Sequence, residues 1–177
     1  MAQAGTQSQT KGPPKVEIAA DPILDLNFLS HGTLESRDLE RSRQFYSEFL
    51  GLEVVRTSEI SLLIRLGGPN TIAVVKTSKK NEMTFLNHNG IDVLTEAEVD
   101  AAHAKCVEYA DTYGMKKITR PQTQHGTYSF YFWDCDDNAW EILTNPKGGY
   151  SWLFERGDQE GRGHLDKTFE RPPETRT

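Results

Sequence analysis

Three polar residues stand inside otherwise apolar stretches of this 177-residue chain: His31 in FLSHGTL, His88 in FLNHNGI and Glu141 in AWEIL. A carboxylate in such a run is costly to bury unless it is paired or bound to a cation. Imidazole and carboxylate are also ligand types that hold divalent metals. His88 follows His31 by 57 residues and Glu141 follows His88 by 53, so the three recur at nearly one interval.

The elements that must carry them also recur. A strand is expected from Ile23 to Leu34. A helix from Ser36 to Leu50 follows, capped by Ser36 or Asp38 and stopped at Gly51, and then three short strands at Leu52 to Thr57, Ile60 to Leu66 and Thr71 to Lys76. The second half repeats this order. Met83 to Val93 reads as a strand and Thr95 to Tyr113 as a helix with a Thr95/Glu98 capping box and a stop at Gly114. A weak strand at Lys117 to Thr119 and strands at Thr127 to Trp133 and Asn138 to Thr144 complete it. The fold class is therefore α+β, two tandem βαβββ modules: 23–78 and 83–145, flanked by a disordered tail 1–22 and an extension 146–177.

Composition narrows the function. With 26 acidic and 20 basic residues and no basic block, an extended nucleic-acid footprint is not expected. No stretch of about 20 apolar residues suggests a membrane span. Two cysteines, Cys106 and Cys135, and no signal-like N-terminus point to a soluble cytoplasmic protein.

The stretches HGTLESRDLERSRQFYSEFLGLEVV, FLNHNGIDV and YFWDCDDNAWEIL resemble the vicinal oxygen chelate superfamily of glyoxalases, extradiol dioxygenases, fosfomycin resistance and bleomycin resistance proteins, over residues 24 to 144. The resemblance implies a cupped mixed sheet around a metal held by His31, His88 and Glu141. It further implies the 2-His-1-carboxylate set, with open positions for substrate. Glyoxalase-like members carry a fourth, carboxylate ligand on the last strand of module one; here that strand is TIAVVK, without an acid.

The segment TQHGTYSFYFWDCDDNAWEIL is similar to the extradiol dioxygenase signature, in which a His precedes a Phe-Tyr pair and the ligand Glu follows the Tyr by ten residues. It implies that Tyr131 hydrogen-bonds a metal-bound substrate oxygen and that His125 stands near the substrate mouth; Thr33, Trp133 and Lys76 are expected in the substrate pocket, and the proton is expected to be handled by His125, Lys76 or a water, His125 first because an unperturbed imidazole titrates near neutrality. His125 lies one residue closer to the Tyr than in that signature, and Cys135 and Asp137 replace its Pro and Gly. The acid–base His of such enzymes in module one has no counterpart among Ala73 to Lys76. Strand alternation puts Tyr131 and Trp133 on one face and Phe130 and Phe132 on the other. His103 and His164 are expected to face solvent.

The expectation is a homodimeric Fe(II) dioxygenase cleaving a catechol-like aromatic substrate with O₂, with Mn(II) or Zn(II) as alternative metals. Two rivals share the frame. One is a glyoxalase-like lyase or isomerase or, with a pattern that His31 to Thr33 and Ser129 to Phe132 resemble, a Mn(II) fosfomycin-resistance-like thiol transferase. Its phosphonate would need cations, and Lys116, Lys117 and Arg120 do not map where that family places them. A metal-free binding protein of the bleomycin-resistance type is the other.

Overall fold

A computed structural model describes residues 20–24, 26–124, 126–145, 148–159, 161–166 and 168–170. The expected tail 1–22 and the acid–base candidate His125 lie wholly or mostly outside the described residues.

Module one runs β1 (His31–Ser36), α1 (Leu39–Gln44), a π-helical turn (Phe45–Phe49), β2 (Glu53–Ser58), β3 (Ser61–Arg65) and β4 (Thr71–Lys76). Module two runs from a 3₁₀ turn (Phe85–Asn87) into β5 (Asn89–Val93), α2 (Glu96–Glu108), α3 (Ala110–Tyr113), β6 (Gln122–Gln124), β7 (Thr127–Trp133) and β8 (Ala139–Thr144). Beyond it lie α4 (Ser151–Arg156) and a 3₁₀ turn (Gly163–Leu165). The duplicated βαβββ order stands. Each module forms one four-stranded mixed sheet, ordered β1-β4-β3-β2 and β5-β8-β7-β6, and neither closes into a barrel.

Local chemistry sets the boundaries. The Asp38 carboxylate accepts from the amides of Glu40 and Arg41 and starts α1. Thr95 and Glu98 close a reciprocal capping box on α2, and Gly114 ends α3 in the left-handed conformation. Both first strands are shorter than expected. Residues 26–30 are not in a strand, and β5 begins only after the 3₁₀ turn, because their apolar side chains find nothing to pack on: Leu26, Leu29 and Leu86 are all largely exposed. The expected strand at Lys117 to Thr119 is replaced by a single bridge from Lys116 to Trp133, beside a left-handed Lys117, and the sheet edge is taken by β6.

One apolar core joins the modules. It gathers the helix-bearing faces of both sheets, Leu34, Leu62 and Val74 from one and Phe130, Phe132 and Trp140 from the other. Phe45 and Tyr46 bridge them against Tyr113 and Trp140, with ring centroids 6.1 and 5.9 Å apart. The β7–β8 turn fastens the join. Asp134 accepts from the Tyr46 hydroxyl at 2.9 Å and the Trp140 indole at 3.1 Å, while the Arg37 guanidinium donates to Cys135 O and Asp137. Asp137, standing where the dioxygenase signature has Gly, adopts φ 69° and is held by Lys116 and Arg37 at 2.6 and 3.0 Å. With the helix-bearing faces merged, the opposite faces of the two sheets, carrying His31 and Glu141, look outward and apart.

Candidate metal centre

The site is built on the outward face of the second sheet. Glu141 lies on β8 in register with Gly90 of β5 and Tyr131 of β7. The 3₁₀ turn brings His88 to the entrance of β5, where its Nδ1 meets the Phe85 carbonyl at 2.8 Å. A carbonyl only accepts, so Nδ1 carries a proton toward Phe85, which leaves Nε2, turned to Glu141, as the ring atom a metal ion would take. That Nε2 is 3.1 Å from Glu141 Oε2. Two ligand atoms at right angles around a cation at about 2.1 Å are separated by about 3 Å, so this pair fits a shared divalent ion.

The pair is protected. Glu141 is nearly buried and His88 about a quarter exposed. The Tyr131 ring meets the His88 ring edge-on at 5.0 Å and Phe85 at 4.5 Å. Burial, and then the neighbouring Glu141 carboxylate within hydrogen-bonding reach, hold the Tyr131 hydroxyl well above the usual phenol range. It therefore stays protonated and can donate a hydrogen bond throughout neutral pH. Trp133 continues the same face, with its indole donating to Met83 O at 2.8 Å. Phe130 and Phe132 belong to the core on the other face, as alternation requires. Burial pushes Cys106 and Cys135 up to about 12, so neither thiol is a nucleophile at neutral pH.

His31 is not part of this cluster. It opens β1 on the other sheet, exposed, with its Nδ1 2.7 Å from the Ser30 hydroxyl, and among the described residues no third His, Cys, Asp or Glu joins His88 and Glu141 in a metal-holding group. Thr33 shares the His31 face, two residues along β1, and is exposed. Lys76 does not: it is in register with Ser36, which is buried on the helix-bearing face, so it projects away from the His31 side. His103 does not simply face solvent but packs edge-on against Phe130 at 5.2 Å, and His164 takes part in tertiary contacts near Gly126. Two neighbours of the pair carried no sequence expectation. Phe85 is one, and Asp92, which shares the His88 and Gly90 side of β5 by alternation, is the other.

The family model described as "Glyoxalase/Bleomycin resistance protein/Dioxygenase superfamily" matches residues 29–142. The chain belongs to that superfamily. Among solved structures it is similar to the genomically encoded fosfomycin resistance protein FosX from Listeria monocytogenes, at 26% identity and TM-score 0.55, over 75% of this chain and 99% of that one. It is also similar to the hypothetical protein SA1046 from S. aureus, at 25% identity and TM-score 0.53, over 68% and 98%. A variant of the Listeria FosX, complexed with Mn(II) and 1S,2S-dihydroxypropylphosphonic acid, matches at 26% identity and TM-score 0.52, over 67% and 90%. No curated protein sequence matches. No helix among the described residues is long and apolar enough to cross a membrane.

Proposed function

We propose that this protein is a divalent-metal-dependent enzyme acting on a small substrate with adjacent oxygens, and that Mn(II) chemistry of the FosX kind is its leading reading. The observation that carries it is the His88–Glu141 pair, 3.1 Å apart and braced by Phe85, on a fold 26% identical to FosX. His88 and Glu141 would hold the ion with His31 of a second copy. Both β1 and β5 bond a neighbour on one side only among the described residues, so two copies have free edges to join. When bound, the ion supplies Lewis-acid polarisation of substrate oxygens.

The chain's own groups do the rest. Tyr131 keeps its proton and donates to a substrate oxygen beside Glu141. The Phe85 and Tyr131 rings pack against His88, and the nearly buried Glu141 carboxylate lies out of bulk water, where its polar contacts are stronger.

A ring-cleaving Fe(II) dioxygenase is the second reading, favoured by the aromatic lining of Phe85, Tyr131 and Trp133. The strands β5, β7 and β8 also contain no Lys or Arg to meet a phosphonate. One assay separates the two. The metal-free protein is loaded with Mn(II) or Fe(II), then given fosfomycin with water or a thiol, followed by ³¹P NMR, or a catechol panel, followed by oxygen uptake. Mn(II)-dependent conversion of the phosphonate supports the first reading and Fe(II)-dependent oxygen uptake the second. Inactivity in every arm, with metal bound, sinks both.

A further inference from the structure

Behind the ligand pair, on the helix-bearing side of the second sheet, the join between the modules is not closed. By alternation Ile91 and Val93 turn away from the face of Gly90 and Asp92, and Ile142 from that of Glu141, with Ile91 and Ile142 in register. These three branched side chains form one wall of a cavity of about 510 Å³. A second wall is α2, which is short of bulk there. Its Ala102 and Cys106 stand one turn apart and are small, where residues of leucine size would fill the space. The third wall comes from module one. Its helix, expected to run as an α-helix to Leu50, is π-helical over Phe45–Phe49, with the Leu50 amide donating to Phe45 O at 3.2 Å. Such turns are rare and concentrate at functional sites, and this one lines the cavity with Phe49 and Leu50. The Phe49 ring lies 5.1 Å from Tyr113 and 6.3 Å from Tyr109, both tilted, so one side is aromatic.

The charged residues of the lining, Glu48 and Lys105, are exposed and already paired. Glu48 accepts from Gln44 at 3.0 Å and from the Tyr113 hydroxyl at 3.5 Å, and Lys105 donates to Glu108 at 2.8 Å. We propose that this cavity is a second ligand site, for a neutral molecule of two or three aromatic or alicyclic rings. Its volume lies within the range of small-molecule pockets, about 300–1,000 Å³. A charged guest would lose hydration on entry and meet no unpaired opposite charge in the lining, which selects a neutral one. The tilted rings offer both faces and edges to a flat guest. Phe49, Leu50, Ile91, Val93 and Tyr113 are only half-buried, so a guest among them removes apolar surface from water. The site uses neither His88 nor Glu141 and does not depend on the metal reading, from which the thickness of the sheet separates it.

The test titrates the full-length protein, as purified, with N-phenyl-1-naphthylamine, a neutral dye whose fluorescence rises in apolar surroundings. Saturable binding at one dye per chain is expected. Ala102→Leu fills the cavity from α2, so side chain and dye compete for one space, and binding should weaken about ten-fold or more. Tyr109, 36% exposed, is the safer position for the fold. Tyr109→Ala removes one ring of the wall and should weaken binding about five-fold. Far-UV circular dichroism and melting temperature verify that each variant is folded. A parent that binds no dye, or equal binding in the parent and both variants, overturns the proposal. Dye binding that disappears as the protein associates at rising concentration gives the cavity to a second copy of the chain and overturns it as well.

Discussion

Tyr131 and Glu141 face each other directly across the β7–β8 ladder, a phenol and a carboxylate in register on one outward face. Their ten-residue separation in sequence is what a tight turn at Asp134 to Asn138 requires to bring them together. Directly paired strand residues have their Cβ atoms about 5 Å apart, so a substrate oxygen held near Glu141 is within reach of the Tyr131 hydroxyl. Tyr131→Phe is expected to keep bound metal and lower kcat by roughly 10²-fold, a typical loss for one positioned donor to a developing charge. Glu141→Ala is expected to lose the metal altogether. Metal analysis beside steady-state kinetics separates the two, and equal metal loss in both variants would remove Tyr131 from the chemistry.

The separation of His31 from His88 and Glu141 makes a strong prediction about assembly. Neither His31→Ala nor Glu141→Ala should be active alone. A heterodimer of the two, purified through different affinity tags, rebuilds one intact centre and one doubly defective one, and should regain about half of the parental activity per dimer. A heterodimer as inactive as its parents would place the third ligand within a single chain.

Metal binding to the folded state alone must raise stability. At a free concentration 100 times Kd the gain is about 2.7 kcal/mol. Thermal unfolding with and without Mn(II) should show an upward shift of several degrees in the parent protein and none in Glu141→Ala. An equal shift in both would locate the binding elsewhere.

Asp137 gives a pH prediction away from the site. Burial alone would push its carboxyl up, but the ion pairs with Lys116 and Arg37 pull it further down, for a net pKa below the usual Asp value. A depressed folded pKa stabilises the protein above the unfolded value, about 3.9, and that contribution is lost as pH falls through the folded pKa. Asp137→Asn tolerates the left-handed backbone, so it isolates the charge. It should cost about 1–3 kcal/mol near neutrality, a difference that shrinks below about pH 4. Urea unfolding at pH 7 and pH 3 measures it, and a pH-independent cost would assign the loss to packing.

Much of this molecule is written locally. The capping residues Asp38 and Thr95 with Glu98, the stop at Gly114, and the strands at Thr71 to Lys76 and Thr127 to Trp133 follow from short-range periodicity and backbone chemistry, and the structure places them within a residue or two. The parity of Tyr131 against Phe130 was equally legible, because alternation along a strand is a property of the strand alone. The candidate residues His31, His88 and Glu141 could be picked out because polar groups in apolar runs are costly. What sequence could not decide is which of them meet. That depends on merging the two helix-bearing faces into one core around Phe45, Tyr46 and Trp140, which leaves His31 on one sheet and the His88–Glu141 pair on the other. Nor could it place the chain beyond β8, whose course depends on Trp152 finding Asn145, Arg156 and Phe169 across the end of the sheet. Local patterns fix elements because their causes lie within a few residues, whereas the centre is decided by contacts between side chains far apart in the chain.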